Sequence, residues 1–184
     1  MVRVLVAVLF AVLAALPAIA QDDFPRIEMS LGYANIGFPC CSTIGENSRH
    51  SGFASTQGLN FTRMFGIENY FGYYSLGGKN NPFLGRNVSM IANMVGGKAA
   101  ARRFERAVPY FSAGIGAGYL TDEVSFGQTS FATRFGPGVD LKLNDSMALK
   151  VDFTRMSFHQ QFRVNESWSS GWNLSTGIVF VLSN

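Results

Sequence analysis

Eight charged residues stand out because they occupy alternate positions in stretches rich in apolar residues and glycine. They are four cations and four anions: Arg26, Glu28, Glu68, Arg134, Asp140, Lys142, Lys150 and Asp152. Side chains two residues apart in a β-strand lie on the same face, so Lys150 and Asp152 are predicted to be neighbours. Buried charges persist only when opposite charges and hydrogen bonds satisfy them. The spacing therefore predicts a neutral network of ion pairs that acts as a polar core.

A predicted β-hairpin over residues 131–158 positions five of these eight charges. Bulky apolar residues alternate with glycine and charged residues on both sides of an Asn-Asp-Ser turn. Alternation of this length indicates strands, and the turn residues fit a tight connection. One face is then apolar and the other carries glycine and opposite charges. A soluble barrel of lipocalin or avidin type would turn the apolar face inward, whereas a transmembrane barrel would turn it outward.

The N-terminus predicts export. Arg3 precedes the apolar run Val4–Leu16, and Ala18-Ile19-Ala20 matches a cleavage motif, so residues 1–20 read as a signal peptide. An uncleaved anchor is the alternative, which the short apolar run disfavours. Residues 21–184 form the predicted barrel domain, and they contain no apolar run of about 18 residues that could span a bilayer as a helix. Any membrane crossing must therefore use strands.

Composition fits a small barrel and gives no indication of a nucleic-acid partner. The chain has 20 glycines and 17 phenylalanines, whereas only 15% of its residues are charged. Glycine suits a narrow interior, and aromatic residues form girdles at membrane interfaces. The formal net charge of +3 is too weakly basic to indicate nucleic-acid binding.

Eight segments carry the alternating pattern. They are Arg26–Gly37, Gly52–Thr62, Gly66–Leu76, Arg86–Gly96, Ala107–Leu120, Phe131–Leu143, Met147–Phe158 and Gly171–Leu182. In the fourth, Met90, Ala92 and Met94 are assigned to the lipid side, and the following segment Lys98–Arg106 is read as a basic turn. Each segment approaches the ~9–11 residues needed to cross a bilayer, and an even count suits closure. The pattern predicts an all-β, eight-stranded antiparallel up-and-down transmembrane β-barrel.

Loop lengths and aromatic residues suggest an orientation. The connections after odd-numbered strands are polar and mostly longer, whereas those after even-numbered strands are short, so both termini are expected in the periplasm. Aromatic residues near the strand ends are predicted to form an outer and a periplasmic girdle. The outer set is Tyr33, Phe53, Tyr73, Tyr119, Phe131 and Trp172, and the periplasmic set is Phe61, Phe65, Phe104 and Phe180. Arg155, on the lipid side near the outer rim, is expected to meet lipopolysaccharide phosphates.

Several short sequence segments resemble a known family. Residues 59–68, 108–118, 135–140 and 177–180 are similar to the outer-membrane β-barrel domain of outer-membrane protein A-like, porin-type small barrels. The resemblance covers essentially the whole mature chain. It implies a bacterial outer-membrane protein of Gram-negative type that contacts outer-membrane lipid and lipopolysaccharide and is inserted by the barrel-assembly machinery. It also raises the alternative of a narrow pore gated by switching ion pairs.

Other reactive side chains give weaker signals. Cys40 and Cys41 are adjacent in a predicted exported loop, where they would be two thiols or one vicinal disulfide. Two groups of serine, histidine and glutamate lie near the predicted outer rim: Ser157, His159 and Glu166, and His50, Ser51 and Glu46. Neither group matches a known barrel-enzyme arrangement, and no metal-ligand cluster occurs. We therefore expect no catalytic residue, metal or cofactor.

These observations favour a non-enzymatic outer-membrane barrel with a structural or surface-interaction role. The segments Phe38–Ser51 and His159–Ser170 are the predicted extracellular loops that would make the contacts. The alternatives are the gated pore, the soluble lipocalin-like barrel that binds an apolar ligand, and an outer-membrane enzyme.

Overall fold

Eight antiparallel strands account for nearly all of the described chain. The computed structural model describes residues 24–39, 47–77, 88–104, 106–122, 128–162 and 165–183. Its strands are β1 (Ile27–Pro39), β2 (Asn47–Asn60), β3 (Phe65–Gly77), β4 (Val88–Ala100), β5 (Ala107–Asp122), β6 (Gln128–Lys142), β7 (Met147–Phe162) and β8 (Asn165–Ser183). The predicted signal peptide and Cys40 and Cys41 lie outside the described residues. Within those residues, no helix has the length and apolar character to span a bilayer.

The strands close into an up-and-down barrel, as the sequence pattern predicts. Each strand pairs with its neighbours in the chain, and β1 pairs with β8. Register partners followed once around the wall run from Ile27 through Leu59, Ile67, Gly97, Ala113, Phe135, Arg155 and Trp172 to Gly37. This displacement of 10 residues around eight strands, from residue 27 to residue 37, corresponds to a strand tilt of about 41°. At that tilt even a 13-residue strand rises about 32 Å, more than the ~25 Å apolar band of such barrels.

The two ends of the barrel differ. At one end, named here the turn end, β1 begins, β8 ends, and the connections 61–64, 101–106 and 143–146 join the strands. The opposite end is named the loop end. Strands there run further than predicted: β1 reaches Pro39, β7 reaches Phe162 and β8 begins at Asn165. The predicted loops Phe38–Ser51 and His159–Ser170 were therefore wrong in extent, because polar residues continue the ladder beyond the apolar band.

The apolar face of the wall points outward. Leu31, Ile115 and Leu174 are 55%, 62% and 50% exposed, whereas Glu68 and Asp152 in the interior are 4% and 1% exposed. This is the reverse of a soluble barrel, which would place its apolar residues at the centre. The lipocalin-like alternative is therefore wrong for this chain.

Strand β4 corrects one predicted face. Met90, Ala92 and Met94 are buried inside the barrel, and Asn93 points outward. The prediction assumed that apolar residues face lipid at every height. The interior near the loop end is itself apolar, so the assumption fails there. Because side chains alternate, the error inverts every residue of the strand.

Candidate functional site

The interior of the barrel divides into two halves along its axis. Strand β7 shows the order: from the turn end, its inward side chains are Lys150, Asp152, Thr154, Met156 and Phe158. On β6 the charged residues Asp140 and Arg134 likewise come before Ala132, whereas β8 has Val179 at the turn end and the polar residues Ser175 and Asn173 nearer the loop end. We name the two parts the ion-paired half and the apolar half. Each is a candidate site, because a barrel of eight strands is just wide enough for side chains to fill.

One ion cluster lies nearest the turn end. Lys98 Nζ is 3.2 Å from Glu28 Oε2 and 3.0 Å from Asp140 Oδ2, so one cation joins carboxylates from two strands that it does not adjoin. Arg102, in the connection after β4, approaches Glu28 Oε1 at 3.4 Å and donates to the carbonyl of Arg63 at 3.0 Å. The cluster thereby closes the turn end and ties two turns together.

A second cluster lies deeper in the barrel. Glu68 accepts hydrogen bonds from Arg134 Nη1 and Lys150 Nζ, each at 3.0 Å. The other terminal nitrogen of Arg134 is 3.4 Å from Asp152 Oδ1. Asp152 also accepts hydrogen bonds from Tyr110 Oη and, at 3.3 Å, from Ser175 Oγ. Since these partners come from five strands, the cluster cross-links the wall.

Tyr110 joins the two clusters. Its ring lies 4.4 Å from Lys98 Nζ and 4.6 Å from Lys150 Nζ, so both ammonium groups contact the aromatic π-system. Gly138 gives the ring its space, because a Cβ there would approach the Tyr110 ring within 2.3 Å. The glycine content of the interior faces thus has a steric cause: large side chains from one strand occupy the volume above glycines of another.

Six of the eight predicted charges lie in these clusters, and two do not. Lys142 is exposed at the end of β6, and Arg26 precedes β1, half-buried against Phe24. Lys98 and Arg102 replace them, so the clusters still contain four cations and four anions. The sequence pattern assigns both residues to a basic turn. Lys98 lies on the same face as Met94, so placing it inside requires both a longer β4 and the corrected face of that strand.

The apolar half fills the remaining interior. Its buried members are Ala34, Ile36, Ala54, Tyr74, Met90, Ala92, Met94, Ala132, Met156 and Phe158. The hydroxyl groups of Tyr70 and Tyr74 are hydrogen-bonded, and Tyr74 Oη donates to Asn173 Oδ1 at 2.8 Å, which satisfies the polar groups at the boundary between the halves. Small cavities of about 10 Å³, each with room for about one water molecule, lie in the ion-paired half beside Asp152 and beside Arg134.

The predicted interface aromatics all point outward. Two pairs stack on the outer wall: Phe153 with Trp172 at 4.7 Å between centroids, and Phe53 with Tyr73 at 5.5 Å. Near the turn end, Phe61, Phe65, Phe104 and Phe180 are all about half exposed. These positions match two bands at different heights, although girdle function itself stays a prediction.

The serine and histidine residues near the rim form no described catalytic arrangement. Ser157 Oγ is hydrogen-bonded to Ser170 Oγ at 2.8 Å on the outer wall, and the ring of His159 lies 5.0 Å from that of Trp168. Among the described residues, no group of three or more His, Cys, Asp or Glu residues is placed to hold a metal ion.

Similar folds occur in solved bacterial outer-membrane proteins. Neisserial surface protein A has a TM-score of 0.69 at 13% identity, over 85% of this chain and 97% of that chain. Ail, the attachment invasion locus protein of Yersinia pestis, has a TM-score of 0.55 at 15% identity, over 84% of this chain and 97% of that chain. OprG of Pseudomonas aeruginosa has a TM-score of 0.53 at 14% identity, over 84% of this chain and 94% of that chain. At these identities the likeness shows the fold alone.

Family membership rests on the sequence. A search of curated proteins found no match. The model of the family described as outer membrane protein beta-barrel domain matches residues 6–180, nearly the whole chain. Together with the closed barrel and its outward apolar face, this match shows that the chain belongs to the outer membrane protein beta-barrel domain family.

Proposed function

We propose that this outer-membrane barrel is a non-conducting, non-enzymatic anchor that presents its loop-end strands for surface interaction. The observation that carries the proposal is the filled interior. Buried ion pairs occupy the ion-paired half, and packed side chains such as Met156 and Phe158 occupy the apolar half. A stable wall needs such filling, whereas a pore needs a continuous wet path.

The arrangement of charges supports an anchor over a gate. A gate of switching ion pairs would need each cation to have an alternative carboxylate and space to move. Among the described residues, Glu68 is the one carboxylate within 4 Å of Lys150 Nζ, and both residues are buried. Opening that pair would leave the apolar half still closed on the loop side.

Conductance separates the anchor from the gated pore. In planar lipid bilayers at neutral pH, the purified protein is expected to give no discrete current steps. Glu68→Gln sharpens the test, because it removes the carboxylate that holds two cations. The gate predicts more frequent openings for this variant, whereas the anchor predicts that it stays silent. Reproducible steps from the wild-type protein would contradict the proposal.

The β7–β8 hairpin is the proposed contact surface. Its ladder continues to the pair Phe162 and Asn165, well beyond the outward pair Arg155 and Trp172. Trp168 on this extension is 56% exposed. Exposed aromatic residues are enriched at protein interfaces. Binding of the intact protein to host or neighbouring-cell surface preparations is expected to fall in Trp168→Ala. Equal binding by the variant would remove the hairpin from the proposal.

The proposed orientation places the turn end and both termini in the periplasm, following removal of residues 1–20 by signal peptidase. The two longest connections, 40–46 after β1 and 78–87 after β3, lie at the loop end and support this choice. The test uses a background that carries Cys40→Ser and Cys41→Ser. A membrane-impermeant maleimide should label Thr121→Cys on intact cells and should label Ser146→Cys only after lysis. The reverse pattern would invert the orientation. N-terminal sequencing of the purified protein should begin at Gln21.

Arg155 is the proposed contact to lipopolysaccharide. It is exposed on the outer wall, and its guanidinium lies 5.6 Å from the Trp172 ring. Arginine pairs strongly with phosphate oxygens. Arg155→Leu should lower thermal stability in lipopolysaccharide-containing membranes and not in zwitterionic phospholipid. An equal effect in both membranes would count against this contact.

A further inference from the structure

The outer wall carries a polar patch where lipid contact should be least polar. Gln57 and Asn69 are register partners on β2 and β3, and Asn69 Nδ2 donates to Gln57 Oε1 at 2.8 Å. Gln57 Nε2 in turn donates to Ser55 Oγ at 3.2 Å. We name these three residues the amide patch. They lie on the face that elsewhere carries exposed apolar side chains.

The patch lies at mid-depth in the apolar band. On β2, Gln57 is four residues from both Phe61 and Phe53, the outward aromatics near the two ends of the band. On β3, Asn69 is likewise four residues from both Phe65 and Tyr73. Hydrogen-bonding groups at this depth have no water to satisfy them, and each unsatisfied group is costly.

Hydrogen bonds within the patch leave part of its capacity unused. An amide offers two N–H hydrogens and a carbonyl oxygen with two lone pairs. The Oδ1 atom of Asn69 has no hydrogen-bond partner among the described residues, but it is buried and out of reach of a second molecule. Gln57 is exposed, and its amide keeps a second Nε2 hydrogen beyond the bond to Ser55 and a second Oε1 lone pair beyond the bond from Asn69. The patch therefore has both donors and acceptors for a partner within the membrane.

We propose that the amide patch is the contact surface for a second copy of this chain. Two copies inserted in the same orientation are related by a two-fold axis along the membrane normal. Such an axis places residues of equal depth opposite each other, so mid-depth amides meet mid-depth amides. Amides both donate and accept, which makes the patch complementary to itself. This inference rests on the outward apolar face and does not require the proposed anchor function.

Small residues beside the patch permit close approach. Gly97 pairs with Ile67 on β3, points outward, and would place an added Cβ at least 4 Å from any other atom. Ala113, the register partner of Gly97, is also exposed. Interfaces between transmembrane helices favour small residues that let backbones approach, combined with polar side chains that hydrogen-bond across the contact, and the same packing argument applies to two barrel walls.

Association can be measured with near-isosteric variants that remove the amides. The double variant Gln57→Met and Asn69→Leu should dimerise at least tenfold more weakly than wild type in density-matched detergent sedimentation equilibrium. Thr176→Val is the depth-matched control, because Thr176 lies four residues from Phe180 and from Trp172 on another part of the wall. This control should keep the wild-type dimerisation constant.

Folding is checked separately, and a rescue variant protects the interpretation. Each protein must show the faster gel migration of an unboiled barrel. Exchange of the two amides, Gln57→Asn with Asn69→Gln, keeps the chemistry and should retain dimers within about threefold of wild type. A wild-type protein that is monomeric at all concentrations would overturn the proposal, as would equal dimerisation of the amide-free variant.

Cross-linking in cells identifies the occupant. A photoreactive phenylalanine at Val95, the exposed register partner of Asn69, should give a product of twice the mass of the chain. A product with the mass of a different protein, and none at twice the mass, would assign the patch to another partner and overturn the proposal.

Discussion

Glu68 provides the sharpest test of the ion-paired half. It is 4% exposed and holds both Arg134 and Lys150 at 3.0 Å. Glu68→Gln preserves the side-chain volume and removes the charge. Arg134 keeps Asp152 as a partner at 3.4 Å, whereas Lys150 loses the one carboxylate that it contacts among the described residues. The variant therefore leaves a buried ammonium group with no counter-charge in direct contact.

The expected cost follows from this asymmetry. At an effective dielectric constant of about 20, charges 3.0 Å apart attract by about 5.5 kcal/mol before desolvation is counted. Breaking a buried pair by removing one partner typically costs about 3–5 kcal/mol. We expect that loss for Glu68→Gln. Lys150→Met should cost less, about 1–2 kcal/mol, because Glu68 then keeps Arg134.

The decisive measurement is the free energy of unfolding of the double variant. Adding Lys150→Met to Glu68→Gln removes the unpaired ammonium group, so the double variant should be more stable than Glu68→Gln alone. Urea unfolding in phospholipid vesicles, followed by tryptophan fluorescence and by gel migration without boiling, gives the three free energies of unfolding. If the two substitutions simply added, with no gain from removing the lysine, the assignment of Lys150 to Glu68 would be wrong.

Two further predictions concern packing and depth. Gly138→Ala should cost about 1–3 kcal/mol in the same unfolding assay, because its Cβ would overlap the Tyr110 ring. Gly97→Ala is the control and should be nearly neutral, since its Cβ meets nothing within 4 Å. Equal effects of the two substitutions would refute the steric reason. Trp168 and Trp172 are the two tryptophans of the chain, and Trp172 lies four residues nearer the turn end. Each single-tryptophan variant reports one depth: Trp168→Phe leaves Trp172, and Trp172→Phe leaves Trp168. Lipids brominated on their acyl chains should quench the fluorescence of Trp172 more strongly than that of Trp168. Equal quenching would contradict the assigned depths.

Alternation in the sequence was enough to predict the eight strands and the closed barrel. It succeeded where one face is uniformly bulky and apolar, as in β6, whose outward residues include Phe131 and Leu141. Alternation gave the wrong inner face for strand β4, because Met90 and Met94 face a packed apolar interior and Asn93 faces outward. In such a strand both faces carry apolar residues, so hydropathy alone does not identify the inner one.

The same strand explains why the charge network was only partly predicted. Lys98 shares the inner face with Met94, and reversing the face of β4 excluded the lysine from the interior. Arg102 was a different problem, since its approach to Glu28 depends on how the turn after β4 folds back across the turn end. Lys142 has the correct parity and lies beyond the closed part of the barrel. Charge balance was nevertheless preserved, as burial of ions requires.

The central claim is that packed and charged side chains point inward while the outer wall contacts lipid. Methyl-labelled protein in detergent micelles tests it without any substitution, through nuclear Overhauser effects between protein methyl groups and detergent acyl chains. Leu31, Ile115 and Leu174 should show these contacts, and Ile36, Met94 and Met156 should show none. Acyl-chain contacts to the second set and not to the first would contradict the account.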